Sequence, residues 1–520
     1  MLTGRNARAV MVLGCTSGAG KSWLATALCR WYARQGLVVK PFKAQNMSNH
    51  ARVVIGPDGR PGEIGSAQYF QALAANAVPE VRMNPVLLKP EADTRSQVVL
   101  LGQARHDLGA MPWRERSALL WPTALTALQS LRQDCDVLVI EGAGSPAEIN
   151  LAANDYVNTD TALAAQAACL LVSDIDRGGA FAHLYGTHAL MDPQVRAQVR
   201  GFVLNRFRGD AALLAPGPEM LQARTGVPTL AVIPLMRDHG LPEEDAVPED
   251  SGHSGTQGGT RSTTHGATYG ATHGATAGPR VVVLTTPHAS NLDEFEPLRS
   301  AGVAVQFSRD PAVLRRADWL VLPGSKHSRA DLAWVRGQGL GAVVAAHVAA
   351  GKPLLAVCGG LQWLGVAIDD PLGLDGGTSS STSGSDMGLG LGLLPLRTRF
   401  APAKHLTRAR HRLGALTGPW APLAGRVVDG YEIHLGVSDV LPPSTPCAAL
   451  LPAVPASPGL GWQQGPVLAV YLHGLFENPA VVQALFGRRP VALDAVFDRL
   501  ADAVDRHFAP GALMALMETR

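Results

Sequence analysis

"VLGCTSGAGKSWLATALCR", residues 12–30, joins an apolar run to a Gly-rich turn that ends in Lys-Ser, and a helix-length segment comes next. Five residues separate Gly14 from Gly20, one more than in the standard phosphate loop, so the strict spacing fails. The required context is nevertheless present. A strand ("VMVL") leads into the turn and a helix ("SWLATALCRWYARQG") leaves it, so that the first amides and the dipole of the helix face whatever the turn encloses. An ordinary Gly-rich strand-to-helix turn would need no Lys-Ser pair at its end. Gly14, Thr16, Ser17, Gly20, Lys21 and Ser22 are therefore candidate phosphate contacts, with Lys21 reaching the outer phosphates and Ser22 a Mg²⁺ ligand.

Outward from this loop, residues 9 to about 240 alternate apolar runs ("AVMVL", "LVVKPF", "DVLVIEG", "CLLVSDID", "GFVLN", "TLAVIP") with helix-length pieces. Runs apolar on both faces indicate a buried parallel sheet in a doubly wound α/β domain. Ligands of such sheets bind beyond the carboxyl ends of the strands, and a Mg-nucleotide needs carboxylates there. Glu141 follows "DVLVI", and Asp174 and Asp176 follow "CLLV"; each would serve equally well as a helix or loop cap, and their coincidence with the loop favours the metal. Asn205, closing "GFVLN", is a candidate contact to the edge of an adenine base.

At 520 residues the chain exceeds one ordinary domain, and 46% hydrophobic residues supply several cores. Lys+Arg 45 against Asp+Glu 43 gives a net charge of +2, and aromatics are 5%, so no nucleic acid or anionic membrane surface is called for. No run approaches the roughly 18 apolar residues of a membrane span, nor is there a signal-peptide core, and a cytoplasmic protein is expected. Residues 243–279, Gly/Thr/Ser-rich with HGAT repeated, read as a flexible linker in which His265 and His273 are a by-product of the repeat. The expected domains are thus 1–242, with the phosphate loop, and 280–520, a second α/β series with a disordered insertion near 372–388. Val496, Leu500, Val504 and Phe508 recur at helical spacing and predict a packing face.

Six cysteines without CxxC spacing exclude a zinc site and a disulfide framework, leaving a lone nucleophile as the one chemical use of a Cys. "KPLLAVCGGLQWLG" puts Cys358 at a strand end before Gly-Gly, the sequence of a nucleophile elbow. His473 ends "VLAVYL" and projects from the same sheet edge, as a base for the thiol. "LVLPGSKH" supplies Gly324 and Ser325, whose amides with that of Gly359 are candidates for an oxyanion hole.

Taken in order, "GCTSGAGKS", "PFKAQNMSNH", "VRMNPVLLKP", "IEGAGSPAEINL", "SDIDRGGAFAHLYGT", "VLNRFRGD", "LPGSKHSRADLAWV", "CGGLQWLG", "GYEIHLG" and "YLHGLFE" closely resemble the cobyric acid synthase family, glutamine-hydrolysing amidoligases of cobalamin biosynthesis. The likeness covers the chain apart from the linker and the insertion. It implies an N-terminal dethiobiotin-synthetase-like P-loop domain, where the longer loop is usual, and a C-terminal class I glutamine amidotransferase domain. It further implies ATP, Mg²⁺, L-glutamine and a corrinoid as cofactor and substrates, with Cys358 and His473 releasing ammonia. The family amidates the b, d, e and g carboxylates of adenosylcobyrinic acid a,c-diamide. Lys43, Gln45, Asn46, Asn84 and Lys89 are candidate contacts to phosphate or to the polycarboxylate, Lys43 foremost because it comes directly after the second strand. Two departures stand out. Ala356 occupies the position two before the nucleophile, often Gly, and no acid stands two residues after His473, the nearest being Glu477. The resemblance suggests a Cys-His dyad with its third member open. Rival readings are cobyrinic acid a,c-diamide synthase, disfavoured by "KAQNMSNH" and "MNPVLLKP", the paired enzymes amidating a lipid-linked cell-wall precursor, usually on separate chains, and a P-loop partitioning ATPase, which has no use for the Cys358 domain.

Overall fold

A computed structural model describes residues 7–92, 95–109, 111–242, 278–375, 388–442 and 450–518. The expected linker falls outside the described residues over 243–277, and the expected insertion over 376–387. The chain forms two compact units, Met1–Leu241 with Ala492–Arg520, and Pro242–Val491.

In the first unit, strands β1 (Arg8–Gly14), β2 (Val39–Phe42), β3 (Val137–Glu141), β4 (Ala168–Asp174), β5 (Val199–Phe207) and β6 (Thr229–Pro234) form a six-stranded sheet ordered β6-β5-β4-β1-β3-β2. Every pairing is parallel. The apolar runs have the predicted cause. Met11 and Leu13 join the core on one face of the sheet while Val10 and Val12 join the core on the other, so β1 meets water on neither side. Helix α1 (Lys21–Arg34) covers the second face and buries Leu24, Leu28 and Tyr32; α2 (Ser66–Ala74) packs beside it.

The predicted packing face of Val496, Leu500, Val504 and Phe508 exists, all four being buried, and the structure supplies its partner. The helix Leu493–His507 lies against α1 in the first unit, with Arg30 on Asp498, Arg34 on Asp502 and the Trp31 indole on Asp505. Spacing announces a buried face without saying what buries it. The 280–520 unit expected from sequence therefore ends at Val491 in the structure, and Ala492–Arg520 belongs with the first unit.

The second unit is built on β7 (Arg280–Leu284), β8 (Ala304–Ser308), β9 (Trp319–Leu322), β10 (Leu354–Val357), β11 (Leu451–Pro452), β12 (Gly461–Gln464) and β13 (Val467–Val470), in the order β8-β7-β9-β10-β13-β12-β11. The first five in that order are parallel and β12 and β11 are antiparallel additions at one edge. Helix α3 (Ser328–Gly337) comes after β9, and the short α4 (Gly359–Leu364) follows β10 directly. Both units are doubly wound α/β, and in both the candidate residues gather at the carboxyl ends of parallel strands.

Candidate functional site

Cys358 sits between β10 and α4 with φ 51° and ψ −105°, a region a residue with a Cβ enters only when its surroundings force it. The forcing is visible. The Cys358 amide donates to the Val470 carbonyl at 2.8 Å, and the next two residues, both glycines, have no room for a side chain. A Cβ on Gly359 would lie 2.7 Å from the Ser325 nitrogen, and one on Gly360 would lie 2.3 Å from the Leu322 carbonyl oxygen. Ala356 is fully buried in β10 and is accommodated. Cys358 is 6% exposed, and its sulfur lies 3.9 Å from the Ile433 carbonyl oxygen.

His473 lies just beyond β13, where its amide donates to the Tyr431 carbonyl at 2.9 Å and its ring stacks on the Tyr431 ring at 5.2 Å. Tyr431 is held in turn by the Asn291 amide, which donates to its hydroxyl at 2.8 Å. The close approach explains the Gly430 of "GYEIHLG", since a Cβ there would lie 2.7 Å from the His473 carbonyl oxygen. The third member left open by the sequence is Glu294. Its Oε1 is 2.9 Å from His473 Nδ1, its Oε2 accepts the Gly474 amide at 2.8 Å, and it is 2% exposed. Burial alone would push the imidazole down; the Glu294 carboxylate and the Cys358 sulfur outweigh it and push its pKa up to about 10. At neutral pH the ring is an imidazolium facing sulfur. Glu477, the nearest downstream acid in sequence, instead approaches Gly474.

The other described cysteines lack such partners: burial pushes the thiols of Cys15, Cys29, Cys135 and Cys169 up and leaves them protonated at neutral pH. On the opposite side of Cys358, Gly324–Ser325 pairs antiparallel with Ala289–Ser290. The Lys326 amide donates into that ladder, to the His288 carbonyl at 2.9 Å. By alternation the Gly324 amide is spent in the ladder opposite Ser290, against its expected place as an oxyanion donor, and the Ser325 amide faces away from the ladder, toward Gly359. A Cβ on Gly324 would lie 3.0 Å from His473 Cε1, so this turn closes over both halves of the pair.

In the first unit the loop after β1 uses left-handed Gly18 and Gly20, and Lys21 and Ser22 open α1. The Lys21 ammonium donates to the carbonyls of Thr16 and Gly144 at 3.0 and 3.1 Å, folded across Gly14. Glu141, at the end of β3 and 1% exposed, accepts the Ser22 hydroxyl and the Lys43 ammonium on one oxygen, each at 2.8 Å, and the Gln71 amide on the other at 2.5 Å. Burial alone would raise this carboxyl; Lys43, Ser22 and Gln71 outweigh it and hold it below the usual range.

These two sites have counterparts among known proteins. Residues 280–481 match the CobB/CobQ-like glutamine amidotransferase domain, and residues 10–246 match the CobQ/CobB/MinD/ParA nucleotide binding domain. The chain is 61% identical to the cobyric acid synthase of Leptothrix cholodnii, across 99% of this chain and 98% of that one. It is 59% identical to the cobyric acid synthase of Methylibium petroleiphilum, across 98% and 97%. The chain belongs to the cobyric acid synthase family.

Membership of the cobyric acid synthase family makes it a glutamine-hydrolysing, ATP-dependent amidoligase, and the remaining candidates can be placed in that light. Lys43 meets Ser22, at the end of the phosphate loop, through Glu141. Gln45 accepts the Tyr156 hydroxyl at 2.6 Å, and Asn46, 3% exposed, accepts the Met47 amide. Asn84 spends its side chain on backbone, donating to Lys43 and Val86 and accepting from Gly65, and so shapes the Lys43 loop from behind. Lys89 is buried in an ion pair with Glu63. Asn205 donates to the Ala19 carbonyl at 3.0 Å, bracing the loop, and lies within β5 rather than at its end. Asp174 is not brought to Glu141. Val12 is the register partner of Glu141 and Gly14 that of Val172, so Asp174 stands four residues further along the sheet and two strands across, about 13 Å by strand rise alone. It pairs instead with Arg177 and Arg206. Glu294 escaped sequence reading because it lies in another segment altogether. The signal is the acidic pair Asp293-Glu294 set between Leu292 and Phe295 just beyond the first strand of the unit.

Proposed function

We propose that this chain amidates the b, d, e and g side-chain carboxylates of adenosylcobyrinic acid a,c-diamide, with ATP driving the reaction and glutamine supplying the nitrogen. The buried Glu294–His473 contact beside Cys358 is the observation that carries the nitrogen-releasing half. The Cys358 thiolate attacks the glutamine side-chain carbonyl, and the developing oxyanion is received by the Ser325 and Gly359 amides, with Gly324 shaping the turn. His473 passes its proton to the departing nitrogen, ammonia leaves, and a glutamyl thioester remains. Water then cleaves the thioester with His473 as base, restoring the thiol and releasing glutamate.

In the other unit, the helix N-terminus after Gly14, Thr16, Ser17 and Gly20, together with Lys21, holds the ATP phosphates. A corrinoid carboxylate oxygen attacks the γ-phosphorus, ADP leaves, and ammonia displaces phosphate from the acyl phosphate to give the amide. Ser22 and Glu141 present a hydroxyl and a carboxylate oxygen, the hard donors Mg²⁺ takes, and fit it; when bound it would neutralise charge on the phosphates. Lys43 is the cation best placed to stabilise the transferring group, and Gln45 and Asn46 come just after it in the short strand Gln45–Met47.

The test is separability. Cys358→Ala should abolish glutamine-dependent amide formation, while ammonium at a pH where part of it is unprotonated should restore amide formation by mass spectrometry. Glutamine use at the parental rate would place the nucleophile elsewhere. Failure of ammonium with a folded variant would refute the two-site scheme. An increment of four amides separates this reading from a,c-diamide synthesis, which adds two.

A further inference from the structure

Asp331, in the first turn of α3, has no exposed surface, yet its carboxylate does not serve the helix that carries it. The free amides at the start of α3 are taken by another acid: Ser328 and Arg329 donate to the Asp375 carboxylate at 3.0 and 2.6 Å. Asp331 is aimed at the turn facing Cys358. Its Oδ2 accepts the Thr286 hydroxyl at 2.6 Å and the Ser325 hydroxyl at 2.7 Å, and its Oδ1 accepts the His288 amide at 3.1 Å and meets His288 Nδ1 at 2.9 Å.

We propose that Asp331 is a positioning residue of the glutaminase, fixing Thr286, His288 and Ser325 so that the Ser325 amide points at the oxyanion formed on Cys358. Thr286 and His288 come after β7 and Ser325 after β9, so one carboxylate ties the ends of two neighbouring strands to a helix. Ser325 is held from two sides, its hydroxyl by Asp331 and its place in the ladder by the next residue, whose Lys326 amide donates to the His288 carbonyl, which leaves its own amide directed at Gly359. A carboxylate with no solvent contact costs several kcal/mol unless its oxygens are filled. Here they are filled by groups of the turn. The contact with Asp331 also raises the pKa of His288 above its ordinary value, with Asp375 adding to it and burial opposing, and the His327 ring lies edge-to-face with it at 4.8 Å between ring centres. Oxyanion donors act in the transition state, so a misaimed amide lowers kcat and leaves KM in place.

This inference rests on Cys358 being the nucleophile, and the experiment separates the two. In the full chain, initial rates of glutamate release are measured for Asp331→Ala, Asp331→Asn and Ser325→Ala, beside the rate at which iodoacetamide alkylates Cys358, tracked on its peptide by mass. Alkylation needs a thiolate and no oxyanion hole. Asp331→Ala should lower kcat about 10²-fold, the typical worth of one donor, with KM for glutamine and the alkylation rate at parental values. Ser325→Ala should lower kcat about tenfold, having lost one of the two restraints, and Asp331→Asn should recover most of the loss, because an amide can still serve the His288 donors and bond the hydroxyls. Parental kcat in both Asp331→Ala and Ser325→Ala overturns the proposal. So does a parallel fall of kcat and alkylation, which would make Asp331 a support of the elbow alone. Should Asp331→Ala not fold, Ser325→Ala decides by the same two readings. Full glutamine turnover in Cys358→Ala would instead remove the reading beneath it.

Discussion

Glu294→Gln keeps the shape of the side chain and removes its charge, so its effect can be worked from the contacts of the carboxylate. That carboxylate serves two donors at once, His473 Nδ1–H and the Gly474 amide. A carboxamide has one oxygen, so whichever donor keeps it, the other faces an NH₂ group. Carrying an imidazole from its ordinary 6.5 up to about 10 is worth about 5 kcal/mol, shared between Glu294 and Cys358. Glu294 is the foremost cause of that rise, so its neutralisation should bring the ring back toward its ordinary value, and each pKa unit lost is about tenfold less imidazolium, hence about tenfold less glutaminase turnover, at any pH above the new pKa. The pH dependence has a definite sign. In the parent the imidazolium survives until pH approaches 10, whereas in Glu294→Gln the ring deprotonates earlier, so the alkaline limb of glutamate release, which needs His473 as an acid, moves to lower pH. Stability obeys the same linkage. A raised folded-state pKa stabilises fully below the unfolded value and is lost on rising through the folded one, so the melting difference between parent and variant should be greatest near pH 6 and shrink toward pH 10. Parental kcat with an unmoved alkaline limb would show that Glu294 is not the third member.

Lys21→Ala should reduce ATP-dependent amide formation at least 10²-fold with either glutamine or ammonium, while glutamate release persists; amide formation at the parental rate would remove the phosphate-loop assignment. Gly360→Ala puts a methyl 2.3 Å from the Leu322 carbonyl oxygen, so the elbow must shift; a loss of about 1–3 kcal/mol in the second unit and a collapse of glutaminase are expected, and an unchanged melting temperature would contradict the packing. Glu141→Gln should raise the Mg²⁺ concentration needed for half-maximal amidation several-fold, whereas Asp174→Asn should leave that midpoint in place. A midpoint that moves equally in both would mean the two acids share one ion after all.

Local patterns made both α/β series, the phosphate loop and the elbow legible, because each is written in consecutive residues. Val10 to Leu13 reads as a strand buried on both faces since neither face has a polar residue to give it. Cys358-Gly359-Gly360 reads as an elbow since its glycines are forced by contacts with Leu322 and Ser325 that any such turn makes. Long-range pairing left no such trace. The amphipathic stripe of Leu493–His507 was legible, but its partner across the chain, α1, was not, and the domain boundary moved as a result. Glu294 was missed for the same reason, being 179 residues from the histidine it orients. Asn84 and Lys89 look like ligand contacts in a string of polar residues, and only burial against backbone and against Glu63 shows their amide and charge already engaged.

Four buried acids, Glu141, Asp174, Glu294 and Asp331, are alike as letters in the sequence, and the structure separates them by the donors each faces. Glu141 faces an ammonium, a hydroxyl and the Gln71 carboxamide, all on side chains able to turn away on single bonds, so its oxygens can be ceded to another cation without breaking the fold. Asp174 faces the guanidinium groups of Arg177 and Arg206, whose planar forks hold a carboxylate in a fixed geometry, and ceding it would strand two charges. Glu294 faces one ionisable ring and one fixed amide, so it can change the protonation of the ring but cannot follow it elsewhere. Asp331 faces hydroxyls and an imidazole on the two loops that follow β7 and β9, and it can only aim those loops. A buried carboxylate is thus defined by the mobility of its donors as much as by their charge: exchangeable donors suit a metal-binding position, rigid cations a structural brace, and a titrating ring a proton-transfer partner.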